Sequence, residues 1–116
     1  MSANLQGTIK NVIVTVDAGN VVCTPSTVNV SNPDTLVVFS LATSGYNFPA
    51  TGAIVVTTPN TDFPYACWTV KPQLCGVFDS NGVSGDFKYT CNVVVTATGQ
   101  MLSLDPIIKN GGPTLP

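Results

Sequence analysis

Residues 85–95, GDFKYTCNVVV, alternate along their whole length. Phe87, Tyr89, Cys91, Val93 and Val95 share one parity, and Lys88, Thr90, Asn92 and Val94 share the other. A period of two puts successive side chains on opposite faces of a strand, so this segment has one buried and one wet face. No stretch of the chain carries a comparable 3.6-residue period. The composition agrees. There is no Glu and no Arg, while Val and Thr, stiff at χ1 and suited to a pleated surface, recur throughout.

Other strands follow from the same signals. In KNVIVTVDAGN, Val12, Val14 and Val16 share a face, and residues 17–20 supply the turn. VVCTPSTVNV is a strand broken at Pro25, which predicts an edge or a switch between sheets. TLVVFSL is the most apolar strand, which predicts a central place covered on both faces. ATSGYNFPATG is a loop, AIVVTT a short strand, and residues 59–83 the least regular part, with at most a short strand or helical turn. Short strands at this spacing, without helices or repeats, predict one domain over residues 1–116: an antiparallel two-sheet Greek-key β-sandwich. A chain of 116 residues buries roughly two-thirds of its unfolded surface, enough for a core.

Near the C-terminus, Pro106 interrupts LSLDPIIKN. Leu102, Leu104 and Ile108 share its parity, so the segment can remain extended through the proline. Because Pro106 donates no N–H, the sequence predicts an edge strand, or one broken by a bulge. Together, GDFKYTCNVVV and LDPIIKNGG resemble the C-terminal part of the DP-EP family, small bacterial proteins that are largely uncharacterised. More loosely, the pattern resembles cupredoxin-like and immunoglobulin-like sandwiches. The resemblance implies a β-sandwich and no activity.

Several chemistries are poorly provided for. A blue-copper site needs two His and a Cys thiolate, usually with a weak axial Met; Cys91 and Met101 are present, but the chain has no His. Zinc held by four cysteines usually shows two close Cys pairs, whereas the nearest pair here, Cys67 and Cys75, has seven residues between. Buried free thiols are the reading adopted for Cys23, Cys67, Cys75 and Cys91, over zinc or a Cys67–Cys75 bridge. Without His or Glu, acid–base catalysis would fall to Asp, Lys, Tyr or Cys, and no G-x-S-x-G elbow occurs, so no enzyme and no catalytic residue is expected. Asp62, Asp79, Asp86 and Asp105 are candidate calcium ligands, but the D-S-N-G run at 79–82 lacks the terminal bidentate acid and is read as a hairpin turn. No cofactor and no metal is expected. The NVS sequon at 29–31 is read as chance.

Partners are constrained by charge. Lys10, Lys71, Lys88 and Lys109 stand far apart and the net charge is −2, so nucleic acid is not expected. No run is long and apolar enough to span a bilayer, and the N-terminus lacks a secretory pattern, so a cytoplasmic, non-membrane protein is expected. Only 9% of residues are charged, against roughly a quarter in an ordinary domain. That scarcity predicts a homo-oligomer, with a dimer first. Tyr46, Phe48, Phe63, Tyr65 and Trp68, in the two irregular segments, are the candidate contact residues. They either form a rim for a partner, small ligand or carbohydrate, or fold inward and plug the sandwich. The sequence therefore predicts a non-catalytic, self-associating interaction or structural module. A small-ligand binder and a Cys-dependent redox or metal protein are the alternatives.

Overall fold

A computed structural model describes residues 8–57 and 62–112. The first seven residues, on which the expectation of no secretory signal rests, lie outside the described residues, as do 58–61 at the start of the irregular stretch. Two β-sheets pack face to face, and no helix occurs among the described residues. Among these residues no helix is long and apolar enough to cross a membrane.

The first sheet has five strands. β1 (Thr8–Asp17) turns through Ala18 and Gly19 into β2 (Asn20–Thr24), both turn residues having positive φ, as a two-residue hairpin requires. β4 (Thr35–Leu41) lies on the other flank of β1, then β8 (Leu74–Asp79) and, at the edge, β7 (Trp68–Lys71). The second sheet is built around β9 (Gly85–Val95). On one flank lie β10 (Met101–Leu104) and β11 (Ile107–Asn110), with β3 (Thr27–Val30) outside β11; on the other lie β5 (Tyr46–Asn47) and β6 (Ile54–Val56).

Pro25 marks a change of sheet, one of the two expected outcomes. β2 pairs with β1 in the first sheet, and after the break β3 pairs with β11 in the second. The switch also corrects the expectation of purely antiparallel sheets. Because β2 and β3 together make one return stroke, β4 runs in the same direction as β1 and pairs with it in parallel. β3 and β11 are likewise parallel. Both sheets are therefore mixed.

Pro106 is accommodated without a change of sheet. Leu104 opposes Cys91 and Ile107 opposes Lys88, so β10 and β11 keep one register on β9 and no bulge intervenes. The Tyr89 N–H donates to the Pro106 carbonyl at 3.0 Å. A residue's N and O point to the same side of an antiparallel ladder, so the proline's missing N–H also faces Tyr89 on β9, where one ladder bond is lost, while the Ile107 N–H turns to the other flank and the Ser26 carbonyl at 3.4 Å. β11 is thus an interior strand, and of these two strands β10 is the one with an open flank.

The core lies between the sheets. Val12 and Val14 from β1, Val37 and Phe39 from β4, Tyr89, Cys91 and Val93 from β9 and Ile108 from β11 are all buried. The Phe39 and Tyr89 rings meet edge to face across it at 5.4 Å. β4 is central, as its apolar run predicts, but the inter-sheet core covers one face alone: Val37, Phe39 and Leu41 are buried while Leu36 and Val38 are half-buried. Residues 59–83 are more regular than expected, since 68–79 form the β7–β8 hairpin. The D-S-N-G run is not a hairpin turn; it carries the chain from β8 in one sheet to β9 in the other.

Candidate interaction surface

Strand register assigns the outer face of the five-stranded sheet residue by residue. Ile9, Leu36 and Phe78 align across β1, β4 and β8, and the Tyr65 ring packs on Phe78 at 5.8 Å. One step along, Asn11, Val38, Gly76 and Trp68 align across all four strands from β1 to β7. Another step brings Thr24, Ile13, Ser40 and Leu74 into line. Gly76 leaves the centre of this face low, and Leu36 lies over it: a Cβ there would sit 3.5 Å from the Leu36 Cδ1. Ile9 is 61% exposed, Trp68 59% and Tyr65 68%. The charged residues that share the face, Asp17 and Lys71, stand at a strand end and at the edge strand.

The outer face of the second sheet is different. Asp86 and Lys109 oppose each other, with Lys88 alongside. The Thr90 hydroxyl donates to Asp105 at 2.8 Å, and the Ser103 hydroxyl to Asn92 at 2.6 Å. One face of the sandwich thus carries charge across its middle, with Val55 and Met101 exposed on its edge strands, whereas the other displays large apolar side chains with no charge in its middle.

The five candidate aromatics divide between surface and core. Tyr65 and Trp68 join the apolar face. Phe48 and Phe63 are buried, Phe63 packing edge-on to Phe87 at 5.2 Å. Tyr46 is half-buried on β5, against the core. Trp68 lies in a strand rather than a loop. Ile9, Ile13, Leu36, Val38 and Phe78, which complete the face, are not singled out by the sequence.

A second feature lies at the open flank of β6. A cleft of about 260 Å³ runs between that strand and residues 63–67, lined by Phe63, Tyr65, Ile54, Val56 and Cys67 and floored by Val77. Register puts the Ile54 and Val56 backbone groups on the side away from β9. The Ile54 N–H meets the Cys67 Sγ at 3.2 Å there.

All four cysteines are free thiols. Burial pushes the Cys75 thiol well above its usual range, and a hydrogen bond with Cys23 together with burial does the same for Cys91. Both are therefore poor nucleophiles. Cys67 alone is half-buried. Among the described residues, no three or more His, Cys, Asp or Glu side chains are grouped to hold a metal ion. No family model matches the chain, and no curated protein is found to be similar to it.

Proposed function

We propose that this chain is a non-catalytic interaction module that associates with a second copy of itself through the outer face of the five-stranded sheet. The observation that carries this reading is the contrast between the two outer faces, one charged and one apolar. An uncharged sheet face can meet its own image without stranding an ion out of water, and isologous two-fold contact is the commonest way to cover it. Five strands about 4.8 Å apart and some six residues long span roughly 24 by 20 Å. Side-chain relief brings this toward the roughly 800 Å² per partner of a stable interface. Edge pairing is the weaker route, because β7 has a register shift between Thr69 and Lys71, and β2 ends at Pro25.

In this reading the sandwich is of Greek-key, immunoglobulin- or cupredoxin-like type. DP-EP membership is supported by residues 85–95 and 104–112. Free thiols fit a reducing compartment, so we place the module in the cytoplasm.

Trp68, the one tryptophan, sits on the proposed contact and reports on it. Its emission should shift to the blue as concentration rises through the micromolar range, when the indole leaves water. Emission fixed at the solvent-exposed position throughout would contradict the assignment.

The cleft beside β6 favours a second reading, a site for a small neutral molecule. Among the described residues no charged side chain lines it, and its volume suits one aromatic ring. A thiol reagent should modify Cys67 well before Cys23, Cys75 and Cys91. Saturating toluene should slow that modification at least tenfold, and benzoate should not. Equal rates with and without toluene would dismiss this reading.

A further inference from the structure

Opposite the β6 cleft in kind is a cluster of buried polar groups at one end of the sandwich. Asp62, Asp79, Asn81 and Asn110 are each at most 2% exposed. The Asp62 carboxylate accepts the Gly82 N–H at 2.9 Å, the Val83 N–H at 3.1 Å, the Ser80 hydroxyl at 3.3 Å and the Asn110 Nδ2 at 2.9 Å. Gly82 permits this approach, since a Cβ there would come within 3.1 Å of the Asp62 Oδ1. The same Asn110 Nδ2 donates to the Asp79 Oδ1 at 2.9 Å, which also accepts the Asn81 N–H at 2.9 Å. Asn81 in turn accepts the Gly112 N–H at 2.9 Å and donates to the Asn32 carbonyl at 3.2 Å. Four chain segments, around 32, 62, 79–83 and 110–112, are tied by this one cluster.

Two of its acceptors lack a donor. The Asp79 Oδ2 and the Asn110 Oδ1 are buried acceptors with no hydrogen-bond partner. An amide bridging two carboxylates cannot neutralise both, and two like charges in a dry site disfavour joint ionisation. The neighbouring charged side chains point elsewhere. Asp34, in the 31–34 turn, is exposed, and Asp86 and Lys109 face each other on the outer surface.

We propose that the cluster is a proton-operated latch: one proton on Asp79 closes it, and loss of that proton loosens its hold on the 79–83 and 110–112 segments. The proton turns the Asp79 Oδ2 from an unserved buried acceptor into a donor and removes one of the two buried charges. Burial, opposed by the Asn110 and Asn81 hydrogen bonds and reinforced by Asp62, raises the Asp79 carboxyl from 3.8 to about 6. A carboxyl raised in the folded state stabilises most below its unfolded value. That contribution is therefore lost as pH climbs from about 4 through about 6.

Two measurements test the latch. In the wild-type protein, the Asp79 side-chain carbon should titrate with a midpoint near 6. Amide exchange at Gly82, Val83 and Gly112, corrected for its intrinsic pH dependence, should accelerate between pH 5 and 7. Asp79→Asn keeps the Oδ1 acceptor and places a donor where Oδ2 stands. It should abolish that acceleration and melt higher than wild type at pH 7 but not at pH 4. A carboxyl midpoint at the ordinary 3.8, or exchange in wild type unchanged across the window, would overturn the proposal, whether or not the variant folds.

Discussion

Asp62→Ala is expected to destabilise the fold by about 3–5 kcal/mol, because several donors lose their shared acceptor at once. The Gly82 and Val83 N–H groups both point at its carboxylate, at 2.9 and 3.1 Å, and the Asn110 Nδ2 at 2.9 Å. A buried donor left without a partner costs roughly 1–3 kcal/mol, and although the Asn110 Nδ2 keeps the Asp79 Oδ1, the Gly82 and Val83 N–H groups lose the carboxylate that serves both. Domains of ordinary stability hold only about 5–15 kcal/mol, so the variant should be largely unfolded or melt far below wild type. Urea titration of wild type and variant checks this, read as a midpoint shift at constant slope. A loss below about 1 kcal/mol, the scale of a single exposed hydrogen bond, would mean water replaces the carboxylate and the cluster is not dry.

Asn11→Lys should have the second large effect, on association and not on folding. Asn11 is exposed on the apolar face, at the β1 end of the row that it forms with Val38, Gly76 and Trp68. A lysine there remains solvated in the monomer, so its stability should hardly change. In a two-fold contact the face meets itself, and each copy would bring a cation into an apolar interface. Like charges brought together in this way cost several kcal/mol, so the dissociation constant should rise about a hundredfold or more. Asn29→Lys is the control, since Asn29 is exposed on β3 in the opposite, already polar sheet. It should leave association unchanged.

Particular residues show what the sequence revealed of this fold. β9 was legible because Phe87, Tyr89, Cys91 and Val93 alternate with polar neighbours, and each proves to be buried. The change of sheet at Pro25 was legible because proline cannot serve a continuous ladder. The parallel pairings were not. Which strand lies beside β1 depends on the path of β2 and β3 between the sheets, and no local pattern records it. The β7–β8 hairpin was hidden by Pro72 and by Gly76, which interrupt the alternation although Cys75 and Val77 fill the core.

The apolar face was only half legible, for a related reason. Tyr65 and Trp68 stood out as aromatics in an irregular stretch, but Ile9, Ile13, Leu36 and Val38 lie in strands that are apolar on both parities. Which parity points outward is known only once the sandwich is assembled. Asp79 and Asn81 carried a turn signal, and the sequence offered nothing to place Asp62 and Asn110 beside them from 17 and 31 residues away.

Self-association through the apolar face is most directly tested by the mass of the protein in solution. Light scattering from micromolar upward should give at least twice the 12.0 kDa of one chain for wild type and Asn29→Lys. The Asn11→Lys variant should give one chain's mass at the same concentrations. A wild-type mass of 12.0 kDa across that range, or an Asn11→Lys variant that assembles as wild type does, would contradict the account.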